Sequence, residues 1–259
     1  MKVSIVMAYF NRLDQLGVTL RTINKTSYND VEIIVVDDAS STVQHANKIV
    51  SVSRFKPKVI SVRRREKRWN NPCIPFNMGI KAATGDIIML QNPENLHCGD
   101  IISHMIQNIT PDSYLVYACY SVDNCLTARI RKVDFNSNDY DKRILSIVSP
   151  MRTDNSQGPT RWANHPVYWP TNYHYVSAAY ADKVRIAGGF DERYSKAPGY
   201  DDDDFVLRMK HDAHLRVVSF DENAPLTIHQ HHSRMFRMSP VRNKAMYDKI
   251  VKDRNNRTV

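Results

Sequence analysis

Val31-Glu32-Ile33-Ile34-Val35-Val36 is a nearly unbroken apolar run that stops at Asp37-Asp38-Ala39-Ser40-Ser41. A strand with apolar side chains on both faces must be covered on both, which places it inside a parallel sheet. Two further runs share this character: Val3 to Ala8, ending in Tyr9-Phe10-Asn11-Arg12, and Asp86 to Leu90, ending in Gln91-Asn92-Pro93-Glu94. Leu13, Leu16, Leu20 and Ile23 recur at three- and four-residue spacing, the stripe of a helix lying on a sheet. Val43, Ala46 and Val50 predict a second helix and Val59 to Val62 a third strand; Pro75 suits the first turn of a helix through Ile80 to Thr84, closed by Gly85. The expected fold is α/β, with a doubly wound, mostly parallel central sheet whose ligands bind at the carboxyl ends of the strands.

The 259 residues suffice for one core or two intimately packed halves. No apolar run reaches the ~18 residues of a membrane span. The start, Met1-Lys2-Val3-Ser4-Ile5-Val6, enters strand-like sequence without a signal-peptide layout, so a cytoplasmic location is expected. Cys73, Cys98, Cys119 and Cys125 are too scattered for a zinc knuckle or redox pair and are expected to be reduced and mostly buried. A net charge of +9 favours anionic partners: nucleotide phosphates, nucleic acid, or an anionic membrane surface met peripherally. Its densest piece, Arg63-Arg64-Arg65-Glu66-Lys67-Arg68, reads first as a solvated loop, and one following aromatic, Trp69, is too little to make nucleic acid the expected partner. With no Gly-x-Gly-x-x-Gly and no P-loop, a nucleotide at the strand ends would need carboxylates for its base and ribose and a metal ion for its diphosphate.

The second half predicts a helix from Ile101 to Ile109, a strand from Tyr114 to Val122, a turn-rich connection from Asp134 to Asp141, and an irregular, proline-containing loop from Pro150 to Pro170. Trp162, Tyr168, Trp169, Tyr173 and Tyr175 crowd the end of that loop; aromatic faces stack on the C–H faces of sugars, so together they suggest an acceptor wall. Val176 to Tyr180 leads to Gly188-Gly189, a pair that permits a tight turn. Gly199-Tyr200-Asp201-Asp202-Asp203-Asp204-Phe205 follows. Four adjacent carboxylates repel one another, so the run suits either proton chemistry or the positive end of a helix, whose apolar face would be Phe205, Val206 and Met209. In Leu226-Thr227-Ile228-His229-Gln230-His231-His232, an extended chain puts His229 and His231 on one face and His232 on the other. Three histidines in four residues suggest a metal or phosphate site. A last amphipathic helix is expected from Pro240 to Val251, with a frayed tail from Lys252 to Val259.

The order Val-Met-Ala-Tyr-Phe-Asn-Arg, Ile-Ile-Val-Val-Asp-Asp-Ala-Ser-Ser, Asn-Met-Gly-Ile-Lys-Ala-Ala-Thr-Gly-Asp-Ile-Ile closely resembles the nucleotide-sugar half of a GT-A-fold glycosyltransferase of family 2, and the later motifs extend the resemblance over essentially the whole chain. It implies a single GT-A domain over residues 1–259, with a nucleotide-sugar-binding half, 1–110, and an acceptor-binding and catalytic half, 111–259. Tyr9, Arg12, Asp37, Asp38 and Asn77 would form the nucleotide pocket. Asp201 to Asp204 fall where the family has Glu-Asp-x-Asp, making Asp202 the general base and Asp201 its partner toward the acceptor hydroxyls; a one-residue shift of register would hand the base role to Asp201 or Asp203. Trp162, Trp169 and Tyr200 would join Asp201 on the acceptor side. Where the family carries Asp-x-Asp, this chain has Gln91-Asn92-Pro93-Glu94, so Glu94 takes the metal role, with His229 first and His231 second to complete the shell. Carboxylate, imidazole and phosphate donors suit Mn²⁺, with Mg²⁺ second. The implied reaction is an inverting hexosyl transfer from a nucleotide sugar, UDP-linked first, to a glycan or glycosylated acceptor. A catalytically weak nucleotide-sugar-binding protein on the same fold is the alternative, and a nucleic-acid-binding protein a more distant one.

Overall fold

The computed structural model describes residues 1–154, 158–233 and 239–256. The chain opens with β1 (Val3–Tyr9), α1 (Leu13–Ile23), β2 (Val31–Asp37) and β3 (Lys58–Ser61), then α2 (Cys73–Ala82), β4 (Ile87–Gln91), β5 (Asn95–Cys98) and α3 (Ile101–Asn108). It continues through β6 (Ser113–Val116), β7 (Cys119–Ser121), α4 (Asn124–Ile130), α5 (Tyr140–Val148), β8 (Arg161–Asn164), β9 (Val176–Tyr180) and α6 (Ala181–Ile186). Last come α7 (Asp201–His211), β10 (Arg216–Ser219), β11 (Leu226–His229) and α8 (Val241–Asn255).

The large sheet runs β10-β6-β9-β4-β1-β2-β3. All its pairings are parallel except those of β9, which lies antiparallel between β4 and β6. The α/β, mostly parallel architecture is therefore present. Side chains of β1 alternate between two cores, as the period of a strand requires. Val6 packs with Phe76 and Ile80 of α2 and Phe205 and Met209 of α7 on one face. Val3, Ile5 and Met7 pack with Leu16 and Leu20 of α1 and Met105 of α3 on the other. A second sheet, β5-β11-β7-β8, carries its own core of Leu96, Tyr120, Trp162 and Ile228 against Ile130 of α4 and Ile144 of α5. Each sheet draws on both halves of the sequence.

Four local expectations change. The helix predicted around Val43, Ala46 and Val50 is instead three short 3-10 turns, Thr42–Gln44, Ala46–Lys48 and Val50–Val52. The Asp37 carboxylate accepts the Ser40 and Ala46 N–H groups and so ties this segment to the end of β2. The single strand predicted from Tyr114 to Val122 breaks at Tyr117-Ala118, where the chain leaves the large sheet for the small one; the Tyr117 N–H donates to Val176 O, and Ala118 O accepts from Thr227 N–H. In the 150–170 segment, Arg161 to Asn164 form a strand antiparallel to β7. The last helix continues to Asn255, and residues 257–259 of the predicted tail lie outside the described residues. Among the described residues, no helix is long and apolar enough to cross a membrane.

Gly79 lets α2 lie directly on the sheet: a Cβ there would meet Val6 Cγ1 at 2.3 Å and Val36 Cγ2 at 3.3 Å. Both obstacles are branched core side chains that cannot swing away. Gly79→Ala is expected to lower stability by about 1–3 kcal/mol despite the better helix propensity of alanine. Urea unfolding should show a lower midpoint with an unchanged slope.

Candidate active site

The carboxyl ends of β1, β2 and β4 open into a cavity of about 440 Å³ whose lining includes Tyr9, Phe10, Arg12, Asp38, Asn71 and Glu94. Tyr9 is among the lining residues but wholly buried, and its hydroxyl donates to Gln44 O and accepts from Arg12 N–H. Asp38 is buried, and both its oxygens are engaged: Lys67 Nζ lies at 2.6 Å and Trp69 Nε1 donates at 2.8 Å. Burial raises the Asp38 pKa, against the hydrogen bond and charge of Lys67. Lys67 also sits 4.1 Å from the centre of the Phe10 ring. Of the basic run, Arg63, Arg64, Arg65 and Arg68 are solvated as expected, but Lys67 turns inward.

At the other end of the cavity, Glu94 is 2% exposed, in the turn between β4 and β5. Arg12 Nη1 lies 2.6 Å from its Oε1, and the Nε2 atoms of His229 and His232 each lie 3.4 Å from the same oxygen. Burial pushes the Glu94 pKa up, but Arg12 and then the two imidazoles outweigh it and hold the carboxyl well below the usual range. Three ligand atoms from Glu94, His229 and His232 fall within 4.8 Å of one another, a grouping that fits a divalent cation. Glu94 Oε2 is buried and has no hydrogen-bond partner among the described residues. The histidines add a second argument. His232 Nδ1 lies 3.1 Å from Ser233 O, and a carbonyl can only accept, so Nδ1 carries a proton. Its Nε2 then faces a carboxylate oxygen with either a second proton or a lone pair, and a lone pair there suits a shared cation. His231 is exposed instead: its N–H donates to Thr127 Oγ1 and its O accepts from Gln15 Nε2. The strand ends at His229, so the alternation assumed for an extended chain does not reach the later histidines. A second cavity of about 550 Å³ lies beside His229 and His232, bounded also by Ser121, Arg161 and Tyr175.

The acidic run forms the first turn of α7, entered through Gly199 and Tyr200 in the left-handed region. Each carboxylate has a different neighbour. Asp201 is 3% exposed and accepts from Asn71 Nδ2 at 2.7 Å. Asp203 accepts from the Tyr173 hydroxyl at 2.7 Å, and buried Asp204 accepts from Arg208 Nε at 2.8 Å. Asp202, with its side chain 30% exposed, has Oδ1 2.6 Å from Nδ1 of buried His174.

Several residues expected in the site lie elsewhere. Asp37 points its carboxylate at the backbone of 40–46, not into the cavity. Asn77 pins the Gly-Gly turn: its Nδ2 donates to Phe190 O and its Oδ1 accepts from Phe190 N–H, both at 2.8 Å. Trp162 is a core residue of the second sheet, 2% exposed, with Nε1 donating to Arg152 O. Tyr200 packs on Tyr247 of α8. Trp169 is half-buried, with the Arg161 guanidinium 4.9 Å from its ring centre. Sequence reasoning missed Lys67, Trp69, Asn71, His174 and His232. Of these, only the basic run and the histidine cluster offered any signal.

A family model for glycosyl transferase family 2 matches residues 4–175. The amylovoran biosynthesis glycosyltransferase AmsB of Erwinia amylovora is 32% identical over 85 residues, 33% of this chain and 28% of its own length. YwdF of Bacillus subtilis strain 168, an uncharacterized glycosyltransferase, is 33% identical over 110 residues, 42% of this chain and 38% of its own length. The chain thus spans about a third of these curated relatives. Among solved structures, S. aureus TarS in complex with UDP-GlcNAc superposes with a TM-score of 0.59 at 15% identity, over 93% of this chain and 62% of that one. The mannosyltransferase PcManGT from Pyrobaculum calidifontis, in complex with GDP-Man and Mn²⁺, gives 0.55 at 16% identity, over 91% and 58%. At these identities the likeness carries the fold.

The acidic run also makes stability depend on pH. Burial, and then Asp202, push the Asp201 carboxyl up to about 7, against Asn71 and His174. For His174, burial lowers the pKa, but Asp202 and then Asp201 and Glu94 outweigh it, and the net shift is upward. Both groups hold a proton more tightly folded than unfolded, so their stabilisation is complete below the unfolded values and lost as pH rises through the folded ones. Glu94 has the opposite sign, but only in acid. The thermal midpoint is expected to fall from about pH 5 to pH 8. Asp201→Asn should flatten that fall and stabilise the alkaline protein by on the order of 1–4 kcal/mol, as measured by unfolding at both pH values.

Proposed function

The chain belongs to glycosyl transferase family 2, and we propose that it moves a sugar from a nucleoside-diphosphate sugar, UDP-linked first, to a hydroxyl of a glycan or glycosylated acceptor, with inversion at the anomeric carbon. The observation that carries this reading is the division of labour within the acidic run. Asp201 and Asp204 are buried and hydrogen-bonded, Asp203 takes the Tyr173 hydroxyl, and Asp202 is partly exposed with one oxygen held by His174. Asp202 is therefore the carboxylate fitted to act as base. It accepts the proton of the acceptor hydroxyl, whose oxygen attacks the anomeric carbon as the bond to the diphosphate breaks. The bonding pair leaves with the nucleoside diphosphate, and a single displacement inverts the centre.

The donor nucleotide occupies the cavity between Asp38 and Glu94. Asp38 is held by Lys67 and Trp69, yet each carboxylate oxygen keeps a further lone pair for a base or ribose donor. Glu94, His229 and His232 would hold a divalent cation, Mn²⁺ before Mg²⁺ given two imidazole donors, and the bound ion supplies charge stabilisation to the leaving diphosphate. Arg12, already beside Glu94, adds a fixed positive charge at the same end. The nucleotide sugars and Mn²⁺ bound by TarS and PcManGT support this reading. Residues 1–110 supply most of the donor side, and the aromatic and acidic residues of 111–259 face the acceptor, with Trp169 and Tyr175 as its remaining aromatic candidates. Free cysteines, three of them buried, suit a reducing compartment such as the cytoplasm.

Nucleoside-diphosphate release, screened over UDP- and GDP-sugars with and without Mn²⁺, tests the class directly. Asp202→Asn should lower kcat by roughly 10²–10⁴-fold while donor binding persists. Retained donor configuration in the NMR spectrum of the product would sink the displacement mechanism. For the metal, titration with Mn²⁺ alone should show His232→Ala weakening binding at least ~10-fold, with His231→Ala close to wild type. The reverse ranking would restore His231 to the ligand set.

A further inference from the structure

His174 lies in the turn two residues before β9, 4% exposed, with its ring edge-to-face on Phe76 at 4.6 Å and on Phe190 at 4.9 Å. Phe190 in turn stacks on Phe205 of α7 at 4.4 Å, so the imidazole is set in an aromatic block joining α2, the Gly-Gly turn and α7. Its Nδ1 is 2.6 Å from Asp202 Oδ1. Neither atom meets the geometry of an aligned hydrogen bond with any described residue, and the contact is an ion pair when the imidazole is protonated. A core histidine that only filled space would not bring a ring nitrogen this close to the half-exposed carboxylate of a four-carboxylate run. The groups around the imidazole are Asp201 and Asp202 from α7, Glu94 from the β4–β5 turn, and the rings of Phe76 and Phe190.

The first turn of α7 needs such a hold. It is entered through two left-handed residues, Gly199 and Tyr200, and the N-cap residue Tyr200 makes no side-chain capping hydrogen bond among the described residues. Tyr173 and His174 hold successive carboxylates, Asp203 and Asp202, from the turn that leads into β9, while Asn71 holds Asp201. From this geometry, and resting on the reading of Asp202 as general base, we infer that His174 is a positioning residue: it holds Oδ1 of Asp202 and leaves Oδ2 to receive the acceptor proton. His174 keeps its own proton on Nδ1 throughout, and the proton removed from the acceptor stays on Asp202 until product leaves.

Three variants test this with steady-state kinetics at several pH values and a thermal melt. Asp202→Asn tests the underlying reading alone: wild-type turnover in it removes the base, whatever His174 does. His174→Phe keeps the aromatic packing and deletes Nδ1; it should melt near wild type, keep the donor KM, lower kcat by about 10- to 100-fold and displace the pH profile of kcat. His174→Asn can return a donor to the Nδ1 position and should recover part of that loss. If Asp202→Asn is inactive while His174→Phe keeps kcat within about twofold, or loses kcat and donor affinity together, the positioning role is overturned. Should His174→Phe fail to fold, His174→Gln decides, because its amide reaches the Nε2 and not the Nδ1 position: a lowered kcat at unchanged KM supports the inference, and a wild-type kcat ends it.

Discussion

A carboxylate removed from water has to be met by positive charge or by hydrogen-bond donors, and Glu94 is almost wholly removed from water. Its partners come from distant parts of the chain: Arg12 from the loop after β1, His229 from the end of β11, and His232 beyond it. Glu94 also stands where the chain passes from the large sheet to the small one. Gln230 reinforces the junction, donating its backbone N–H and its side-chain Nε2 to Glu94 O. Satisfying one buried anion therefore brings the two sheets together, and the cavity at the strand ends is walled by the groups that satisfy it.

The acidic run poses the same electrostatic problem with the opposite solution. Glu94 gathers cations around one charge, whereas the first turn of α7 distributes four charges among four surroundings. Two are buried and hydrogen-bonded, one accepts a tyrosine hydroxyl, and one stays partly open beside a buried imidazole. Identical residues acquire distinct roles because the helix turns each toward a different neighbour. The upward shift of Asp201, Asp203 and Asp204, led in each case by burial, shows what holding so many carboxylates in one turn costs the folded state.

Much of the frame was legible in the residues. The runs Val3 to Ala8, Val31 to Val36 and Asp86 to Leu90 became β1, β2 and β4, since a two-sided apolar strand has few places to go. The stripe from Leu13 to Ile23 became α1. The short β5 and β8 were not legible, because each is only four residues long and takes its strand conformation from neighbours distant in sequence. In the candidate site, the pairing of Glu94 with His229 is legible in the sequence, while that with His232 is not, because the strand ends at His229 and its alternation does not govern the residues beyond. Asn77 and Trp162 were placed near ligand by their motif and composition. Their polar atoms instead complete the backbone of a turn and of a loop.

The sequence by itself determined the α/β class, the order of the first strands with α1 and α2 between them, and which loops would carry charge to the sheet's edge, because those depend on local periodicity and on where apolar runs end. Only the tertiary structure decided which histidine lies beside Glu94, which of four identical aspartates stays open, and that Lys67, Trp69, Asn71 and His174 border the candidate site. Those choices depend on contacts between residues tens to hundreds of positions apart, such as Asn71 with Asp201 and Arg12 with Glu94, and no local pattern encodes where such partners will meet.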